Sequence, residues 1–414
     1  MKAVIMAGGL GTRLASITKD MPKPMIPIDG KPVLLHQIEC LKENGIIDII
    51  IITGHGTEQI TKFFNDGSMY GVKISYIIEK YPLGTAGGLF FLKNSINETF
   101  LLLNGDIMFD VNFRRMFEWH KKMNSVATLF THPNGHPYDS ALIITDSNNR
   151  VIQWMHKEEP RTDYINRVNA GIHIFEPYIF SYINALKKLD LDRGILKTLV
   201  GENVVYAYDS PEYVKDLGTP ERYERVCKDY FSGIVNGKNL SRKQKAIFLD
   251  RDGTINKHIG FLTKPNQIEL LPGAAAAIRN INMSGYLAVV ITNQPVIARG
   301  DCTFEELGEI QMRLERLLGE QGAYLDATFF CPHHPEKGFE NERIEYKIVC
   351  QCRKPLPGML FQAKQKFNID LSKSYVIGDN ECDVQAGLAA GCKALLINEQ
   401  NSFKSLLACV NNIL

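Results

Sequence analysis

The sequence predicts an α/β protein built as two doubly wound α/β domains, and three observations carry that prediction. Short β-branched runs alternate with amphipathic stretches over residues 1 to about 225, a polar segment then interrupts them, and the same alternation starts again. The expected boundaries are 1–230 for the first domain, 231–244 for a linker and 245–414 for the second domain. With 414 residues and 45% hydrophobic content, the chain can give each domain its own core.

In the first domain the strand candidates include Ile49 to Thr53, Lys73 to Ile77, Phe100 to Leu103 and Val126 to Phe130. Leu34 to Asn44 and Asn112 to Met123 have helical periodicity. A mostly parallel sheet follows, with ligands expected at the carboxyl ends of its strands. The segment from Phe231 to Lys245 is polar, holds glycines and basic residues, and lacks periodicity, as a linker does. The second domain repeats the rhythm at Ala246 to Leu249, Leu287 to Ile291, Thr328 to Phe330, Tyr375 to Ile377 and Ala394 to Ile397.

Composition narrows the partners. A formal net charge of +1, with both signs scattered, gives no basic field for nucleic acid, so small anions held by local sites are expected instead. No apolar run approaches the roughly 20 residues of a membrane helix, and strand residues begin almost at Met1, so no membrane association and a cytoplasmic location are expected. Nine cysteines make an odd count, and Cys331, Cys350 and Cys352 cluster with His333 and His334. A reducing compartment and one metal site fit that pattern better than disulfides. A homo-oligomer is compatible with the sequence, which does not fix the oligomeric state.

The first domain carries a phosphate-handling pattern. Gly8, Gly9 and Gly11 let backbone amides approach phosphate oxygens after a strand, Thr12 and Arg13 follow, and Pro22-Lys23-Pro24 presents a second cation. A nucleophile attacking a triphosphate needs fixed cations around the developing charge, which is the role expected of Arg13 and Lys23. Glu79 precedes the loop Pro82 to Gly88, whose Gly84 and Thr85 suit contact with a base or ribose. Leu101 to Asp106 puts the Asp106 carboxylate at a strand end, and Asp216-Leu217-Gly218 puts another before a turn, a pair suited to Mg²⁺. Asn169, in Val168-Asn169-Ala170-Gly171, offers an amide to a sugar hydroxyl.

In this order the motifs resemble the sugar-1-phosphate nucleotidyltransferase family, whose Gly-Gly-x-Gly-Thr-Arg and Pro-Lys-Pro signatures are matched at 8–13 and 22–24. The resemblance spans roughly residues 1 to 225. It implies a Rossmann-like domain in which a sugar 1-phosphate attacks the α-phosphorus of a nucleoside triphosphate and releases pyrophosphate. One departure stands out: Lys157-Glu158-Glu159-Pro160 lacks the lysine that members often carry before this proline.

The second domain pairs Asp250 and Asp252 at a strand end, a nucleophile and a nearby acid or base, with Gly253 allowing the turn. Thr292 and Asn293 end another strand with a hydroxyl and an amide, Arg353-Lys354 adds cations, and Gly378 to Asp383 ends a further strand with Asp379 and Asp383 four apart. These motifs resemble the haloacid dehalogenase superfamily of phosphatases over roughly residues 245 to 414. The resemblance implies that Asp250 attacks phosphorus and Asp252 serves as acid and then base. It also implies that Asp250, Asp379 and the backbone carbonyl of Asp252 hold Mg²⁺, while Thr292 and Lys354 neutralise phosphoryl oxygens.

Cys331-Pro332-His333-His334 followed by Cys350-Gln351-Cys352 is a Cys-x-His and Cys-x-Cys set suited to structural tetrahedral Zn²⁺, with His333 the ligand and His334 left free. With this loop the second domain resembles the heptose bisphosphate and histidinol phosphate phosphatases. Ala298-Arg299-Gly300 and Asp250 to Asn256 point toward the heptose 1,7-bisphosphate 7-phosphatases. Pro295-Val296 and Asn380 depart from the pattern, each where phosphate contacts are expected.

The two halves combine. Removing the 7-phosphate of heptose 1,7-bisphosphate leaves heptose 1-phosphate, the acceptor that the first half needs, and that half resembles the heptose 1-phosphate guanylyltransferase group. The expectation is a bifunctional enzyme that uses GTP and makes GDP-D-glycero-α-D-manno-heptose for lipopolysaccharide or an S-layer glycan. Two alternatives stay open: a mannose or glucose 1-phosphate nucleotidyltransferase joined to a phosphatase of another small ester, and a non-catalytic regulatory role for one half.

Overall fold

The computed structural model describes residues 1–9, 21–398, 400 and 403–414. It divides into two compact units that interleave in sequence. The first comprises Met1–His132, Ile143–Met155 and Asn169–Asn239, and the second comprises Pro133–Leu142, His156–Val168 and Leu240–Leu414. Residues 231–244, expected as a linker, hold the helical turn Ile234–Gly237 with Val235 buried, and the change of unit falls between Asn239 and Leu240.

The parallel heart of the first unit is β1 (Lys2–Met6), β2 (Asp48–Thr53), β3 (Lys73–Ile78) and β4 (Phe100–Asn104). The order is β4-β1-β2-β3, every neighbour parallel. Four consecutive isoleucines in β2 are buried, as a strand covered on both faces requires. The expected mostly parallel sheet holds here and in the parallel pair Ala127–His132 with Val205–Asp209, but one strand between them is reversed. Val168–Phe175 runs antiparallel to β4 and extends the sheet toward Leu142–Thr145 and Val151–Met155. Hydrophobic patterning sets which face of a strand is buried but not its direction, so the sequence carried no sign of this reversal.

Helix α1 (Val33–Glu43) buries its apolar side against β1 and β2 through Leu34, Ile38 and Leu41. Helix α2 (Phe113–Met123) starts where the Asn112 side chain accepts the Arg115 N–H and stops at Asn124, whose φ of 48° lies in the left-handed region. Three basic residues in its last turn suit the negative end of the helix dipole. A short antiparallel ladder, Ile107–Asp110 with Tyr213–Asp216, sets Asp216 opposite Ile107.

The second unit holds a five-stranded, wholly parallel sheet. Its strands are β5 (Lys245–Leu249), β6 (Tyr286–Asn293), β7 (Ala327–Cys331), β8 (Tyr375–Gly378) and β9 (Lys393–Leu396), in the order β7-β6-β5-β8-β9. Alternate residues enter two separate cores. Ile247, Leu249, Val290 and Ile377 face one, and Ala246, Phe248, Val289 and Val376 face the other. A capping box between Thr303 and Glu306 opens helix Phe304–Gly319. The segment 156–168 belongs to this unit through polar ties to that helix: Arg316 Nε donates to Asp163 at 2.7 Å, and Glu315 accepts the N–H of buried Asn166 at 2.8 Å.

Candidate active sites

In the first unit the loops after β1, β2, β3 and β4 converge. A side chain at Gly8 would press on Glu79 Oε2 at 3.2 Å, and one at Gly105 would meet the Met6 carbonyl at 2.9 Å, so both glycines permit close backbone approach. Gly9 has open space around it. Gly11, Thr12 and Arg13 lie outside the described residues.

Glu79 anchors its own backbone by donating its N–H to the Thr53 carbonyl at 2.7 Å. Its Oε1 is buried with no hydrogen-bond partner among the described residues, and burial raises the pKa of the carboxyl. Gly84, at φ +81°, packs onto the Leu189 carbonyl. The Thr85 hydroxyl donates to Asp190 at 3.3 Å and accepts the Leu191 N–H at 2.7 Å, so it ties the loop to residues 189–191.

Lys23 sits in a single 3₁₀ turn after Pro22, with Nζ 3.2 Å from Asp106 Oδ2. The Leu217 N–H donates to the Asp106 carbonyl at 3.1 Å, which brings Asp106 and Asp216 to neighbouring backbone positions. Arg222 Nη1 reaches both Asp216 oxygens, at 2.9 and 3.1 Å. The two residues predicted to hold Mg²⁺ thus stand at neighbouring backbone positions, and each carboxylate has a cationic neighbour. Asn169 stands on the strand beside β4, its Oδ1 accepting the Gly171 N–H at 3.2 Å.

The second site opens at the carboxyl ends of β6, β5 and β8, where the strand order reverses direction. A cleft of about 320 Å³ is lined by Asp250, Asp252, Thr292, Asn293, Arg353, Lys354, Asp379 and Asp383, with His258 and Phe261 among its other walls. Lys354 is buried with its three donors placed: Asp250 Oδ1 at 2.6 Å, Asp383 Oδ1 at 2.6 Å and the Ile291 carbonyl at 2.9 Å. Burial lowers the lysine's pKa, but the two carboxylates outweigh it and the net shift is upward, so the ammonium stays charged. Burial pushes the Asp250 carboxyl up to about 6 despite the pull of Lys354.

Asp252 accepts four hydrogen bonds: Arg251 Nε at 3.2 Å and Nη2 at 2.8 Å, Asn256 at 2.9 Å and Gln294 at 2.9 Å. Its pKa is lowered, because Arg251 and these donors overcome the burial that would raise it. Gln294 also donates to Thr292 Oγ1 at 2.8 Å. Asn293, expected to touch substrate, spends both ends of its amide on the Lys354 backbone, at 3.0 and 3.1 Å. Gly253, at φ +86°, allows the Asp379 carboxylate to lie where a side chain would collide with it.

Asp250, Asp379 and Asp383 bring carboxylate oxygens within 4.8 Å of one another, a hard oxygen set suited to Mg²⁺. Asp383 entered the sequence reading only as the second of two carboxylates four apart, yet it is buried and bridges Lys354 to the helix start through the Asn380 N–H at 3.1 Å. Asn380 is the N-cap of helix Glu381–Ala389, which accounts for an amide side chain there. Arg251, among the largest fully buried side chains of the protein, gave no signal beyond its place between two aspartates.

Cys331, His333, Cys350 and Cys352 form one cluster. Cys331 Sγ lies 3.0 Å from Cys352 Sγ and 3.5 Å from Cys350 Sγ, and His333 Nδ1 lies 3.3 Å from Cys352 Sγ. Four donor atoms so close, three of them soft thiol sulfurs, can hold a tetrahedral metal ion, and no disulfide forms among the described cysteines. His334 stays outside, its Nδ1 accepting the Glu336 N–H at 3.3 Å. Arg353 donates to the His333 carbonyl at 3.2 Å, tying the cleft's cation to the cluster. No helix among the described residues is long and apolar enough to cross a membrane.

Comparison with known proteins finds one family for each site. A nucleotidyl transferase family model matches residues 2–233, and a HAD-hydrolase-like model matches 351–407. Mannose-1-phosphate guanylyltransferase of Mycobacterium tuberculosis is 32% identical over 255 residues, covering 61% of this chain and 70% of that protein. D-glycero-beta-D-manno-heptose-1,7-bisphosphate 7-phosphatase of Yersinia pestis is 40% identical over 159 residues, 38% of this chain and 82% of that one. HddC from Yersinia pseudotuberculosis, a solved structure, is 27% identical and covers 55% of this chain and 99% of its own, with a TM-score of 0.49. The chain spans about two thirds of the length of the guanylyltransferases it matches.

Proposed function

We infer the function from family membership first: the chain belongs to the nucleotidyl transferase family through residues 2–233 and to the HAD-like phosphatase family through its C-terminal part. It carries two enzyme activities, a nucleotidyl transfer and a phosphomonoester hydrolysis. The substrates that join them are heptose 1,7-bisphosphate, hydrolysed at the 7-phosphate, and then heptose 1-phosphate, which receives GMP from GTP. The observation that carries this reading is the coexistence on one chain of the Asp250–Lys354–Asp383 constellation and the Lys23–Asp106–Asp216 group. The product of the first reaction is the acceptor of the second.

In the hydrolysis an Asp250 oxygen forms a bond to phosphorus while the bond to the sugar oxygen breaks, and Asp252, ionised in the free site, takes a proton from the phosphate monoester and passes it to that oxygen. Asp252 then takes a proton from water, whose oxygen displaces Asp250 and releases phosphate. Asp250, Asp379 and Asp383, with the Asp252 carbonyl, would hold Mg²⁺, which would supply positive charge to the site. Arg251, Asn256 and Gln294 orient Asp252, and Asn293 fixes the backbone of Lys354. Cys331, His333, Cys350 and Cys352 form a donor set that suits structural Zn²⁺, which would hold the loop that presents Arg353.

In the transfer, an oxygen of the sugar 1-phosphate bonds to the α-phosphorus of GTP and the bond to the β-phosphate oxygen breaks, releasing pyrophosphate. Lys23 brings its charge beside Asp106, and Asp106 with Asp216 would hold Mg²⁺. Guanine is supported by Glu79: the guanine edge offers N1–H and an amino group, and the Glu79 Oε1 is a buried acceptor with no hydrogen-bond partner among the described residues.

The test is incubation of the full chain with heptose 1,7-bisphosphate, GTP and Mg²⁺, with products identified by mass. GDP-heptose, phosphate and pyrophosphate are expected. Release of neither phosphate nor pyrophosphate would overturn the reading. Similarity to mannose-1-phosphate guanylyltransferase favours a second acceptor, mannose 1-phosphate, and the same assay ranks the two sugars.

A further inference from the structure

The strand Val168–Phe175 puts Asn169, Gly171 and His173 on one face and sends Ala170, Ile172 and Ile174 into the core on the other. Its antiparallel register, Ile172 opposite Leu103, continues toward the Gly105–Asp106 turn, so Asn169 stands at the end of the strand that meets the nucleotidyl transfer site. A side chain at Gly171, which has φ +73°, would overlap the Asn104 amide, so the close approach here depends on glycine.

On this face lies a small hydrogen-bond system in which every proton can be placed. Asn169 Oδ1 accepts the Gly171 backbone N–H at 3.2 Å and lies 3.0 Å from His173 Nε2. A backbone N–H can only donate, so the atom that meets it is the carboxamide oxygen, and this fixes which way the amide is turned. Because the same oxygen faces His173, Nε2 must carry the ring proton, and Nδ1, buried with no hydrogen-bond partner among the described residues, is left as a bare acceptor. Burial pushes the pKa of His173 down to about 3, so the ring is neutral. His173 is only 1% exposed, and Phe175 stacks on it with centroids 5.5 Å apart. With its oxygen occupied twice, Asn169 has only its NH₂ group to offer, and no acceptor meets that group among the described residues.

We propose that His173 is a positioning residue of the transfer reaction, which locks the Asn169 amide so that its NH₂ donates to an oxygen of the sugar phosphate. The proposal rests on the sugar phosphate reading of the first site. It makes Asn169 a donor-only contact, so the site selects for an acceptor oxygen at that point of the sugar or its phosphate.

The test uses the full chain, GTP and heptose 1-phosphate, and compares wild type with His173→Phe, His173→Gln, Asn169→Ala and the double variant Asn169→Ala/His173→Phe. In His173→Phe, which keeps a flat ring and loses the donor, KM for the sugar phosphate should rise about tenfold, the loss of one hydrogen bond's worth of binding. KM for GTP and kcat should stay within about twofold. His173→Gln carries an amide donor and should recover most of the loss, while the double variant should be no worse than Asn169→Ala alone. Equal losses for both substrates, no rescue by Gln, or additive losses would overturn the proposal.

A second readout needs no turnover. In ¹⁵N-histidine-labelled protein His173 should be protonated on Nε2, and its shifts should move in Asn169→Ala. Protonation on Nδ1 would overturn the proposal even if the wild type transfers GMP. A wild type that transfers GMP to no sugar phosphate, but shows the Nε2–H tautomer coupled to Asn169, would sink the functional reading and leave the hydrogen-bond assignment standing.

Discussion

The two sites handle charge in opposite ways. In the phosphatase cleft most of the charge is buried and already matched, Asp379 being the exposed exception: buried Lys354 has three acceptors, half-buried Asp252 has four hydrogen bonds, and Arg251 is enclosed. In the nucleotidyl transfer site Asp106 and Asp216 have side chains 37% and 39% exposed, and the buried Glu79 Oε1 has no hydrogen-bond partner among the described residues. The difference follows from the chemistry. A protein carboxylate that attacks phosphorus must be held in place before substrate arrives, and a buried charge is tolerated only when paired. When two bound substrates react with each other, much of the charge comes with them, and the protein can leave its groups near solvent until they bind.

Replacing one atom of the paired cleft should break this contrast most severely. Asp250→Asn keeps the shape of the side chain but removes the nucleophile and the anion that Lys354 meets at 2.6 Å. Phosphate release from heptose 1,7-bisphosphate should fall by about 10⁴-fold or more. Pyrophosphate release with GTP and heptose 1-phosphate should continue, since it uses the other site. Survival of more than about one part in a hundred of the phosphatase rate would show that Asp250 is not the attacking group.

A smaller effect is expected one step away from the cleft. Cys352→Ser removes one of three sulfurs from the cluster, and Arg353, the next residue, is tied to the His333 carbonyl. Zinc per chain, measured by mass spectrometry, should drop, and phosphate release should fall about 10- to 100-fold, the range seen when the groups that orient a site are lost. Treatment of the wild type with a zinc-selective chelator, assayed in excess Mg²⁺, should give the same pair of changes. Zinc-free protein with full phosphatase activity would sever the cluster from the cleft.

The contrast also explains what could be read in advance. Strands Ile49 to Thr53 and Tyr375 to Ile377 were legible because runs of branched residues between turn residues admit little else, and the structure extends them only to Asp48–Thr53 and Tyr375–Gly378. Asp250, Lys354 and the Cys-His cluster were legible because their chemistry depends on residue type at short spacing. The roles of Asn293, Thr85 and His173 were not. Asn293 and Thr85 make their decisive contacts with groups far along the chain, as Asn293 does with Lys354, 61 residues away, and His173 meets Asn169 across Gly171, whose φ of +73° breaks the regular strand. The antiparallel flank escaped for the same reason, since β-pairing direction is a property of the assembled sheet.

The smallest effect compares how each site keeps a buried titratable group. The phosphatase cleft keeps Lys354 charged by pairing it, whereas the transfer site keeps His173 neutral by burial alone, its pKa near 3 against about 6.5 in the unfolded chain. Between those values the unfolded state binds a proton that the folded ring refuses, so stability is full above about pH 6.5 and declines as pH falls through the window. At about 1.36 kcal/mol per pH unit, His173 should cost the first unit roughly 2 kcal/mol between pH 6.5 and 5. Both tryptophans, Trp119 and Trp154, belong to that unit, so their fluorescence during urea unfolding reports on it selectively. Burial shifts His120 the same way, so the informative quantity is the difference between wild type and His173→Phe, which should lose about 2 kcal/mol less over that interval. Identical pH dependence in the two proteins would mean that the folded ring takes up protons as readily as the unfolded one, and that solvent reaches His173 in the folded state.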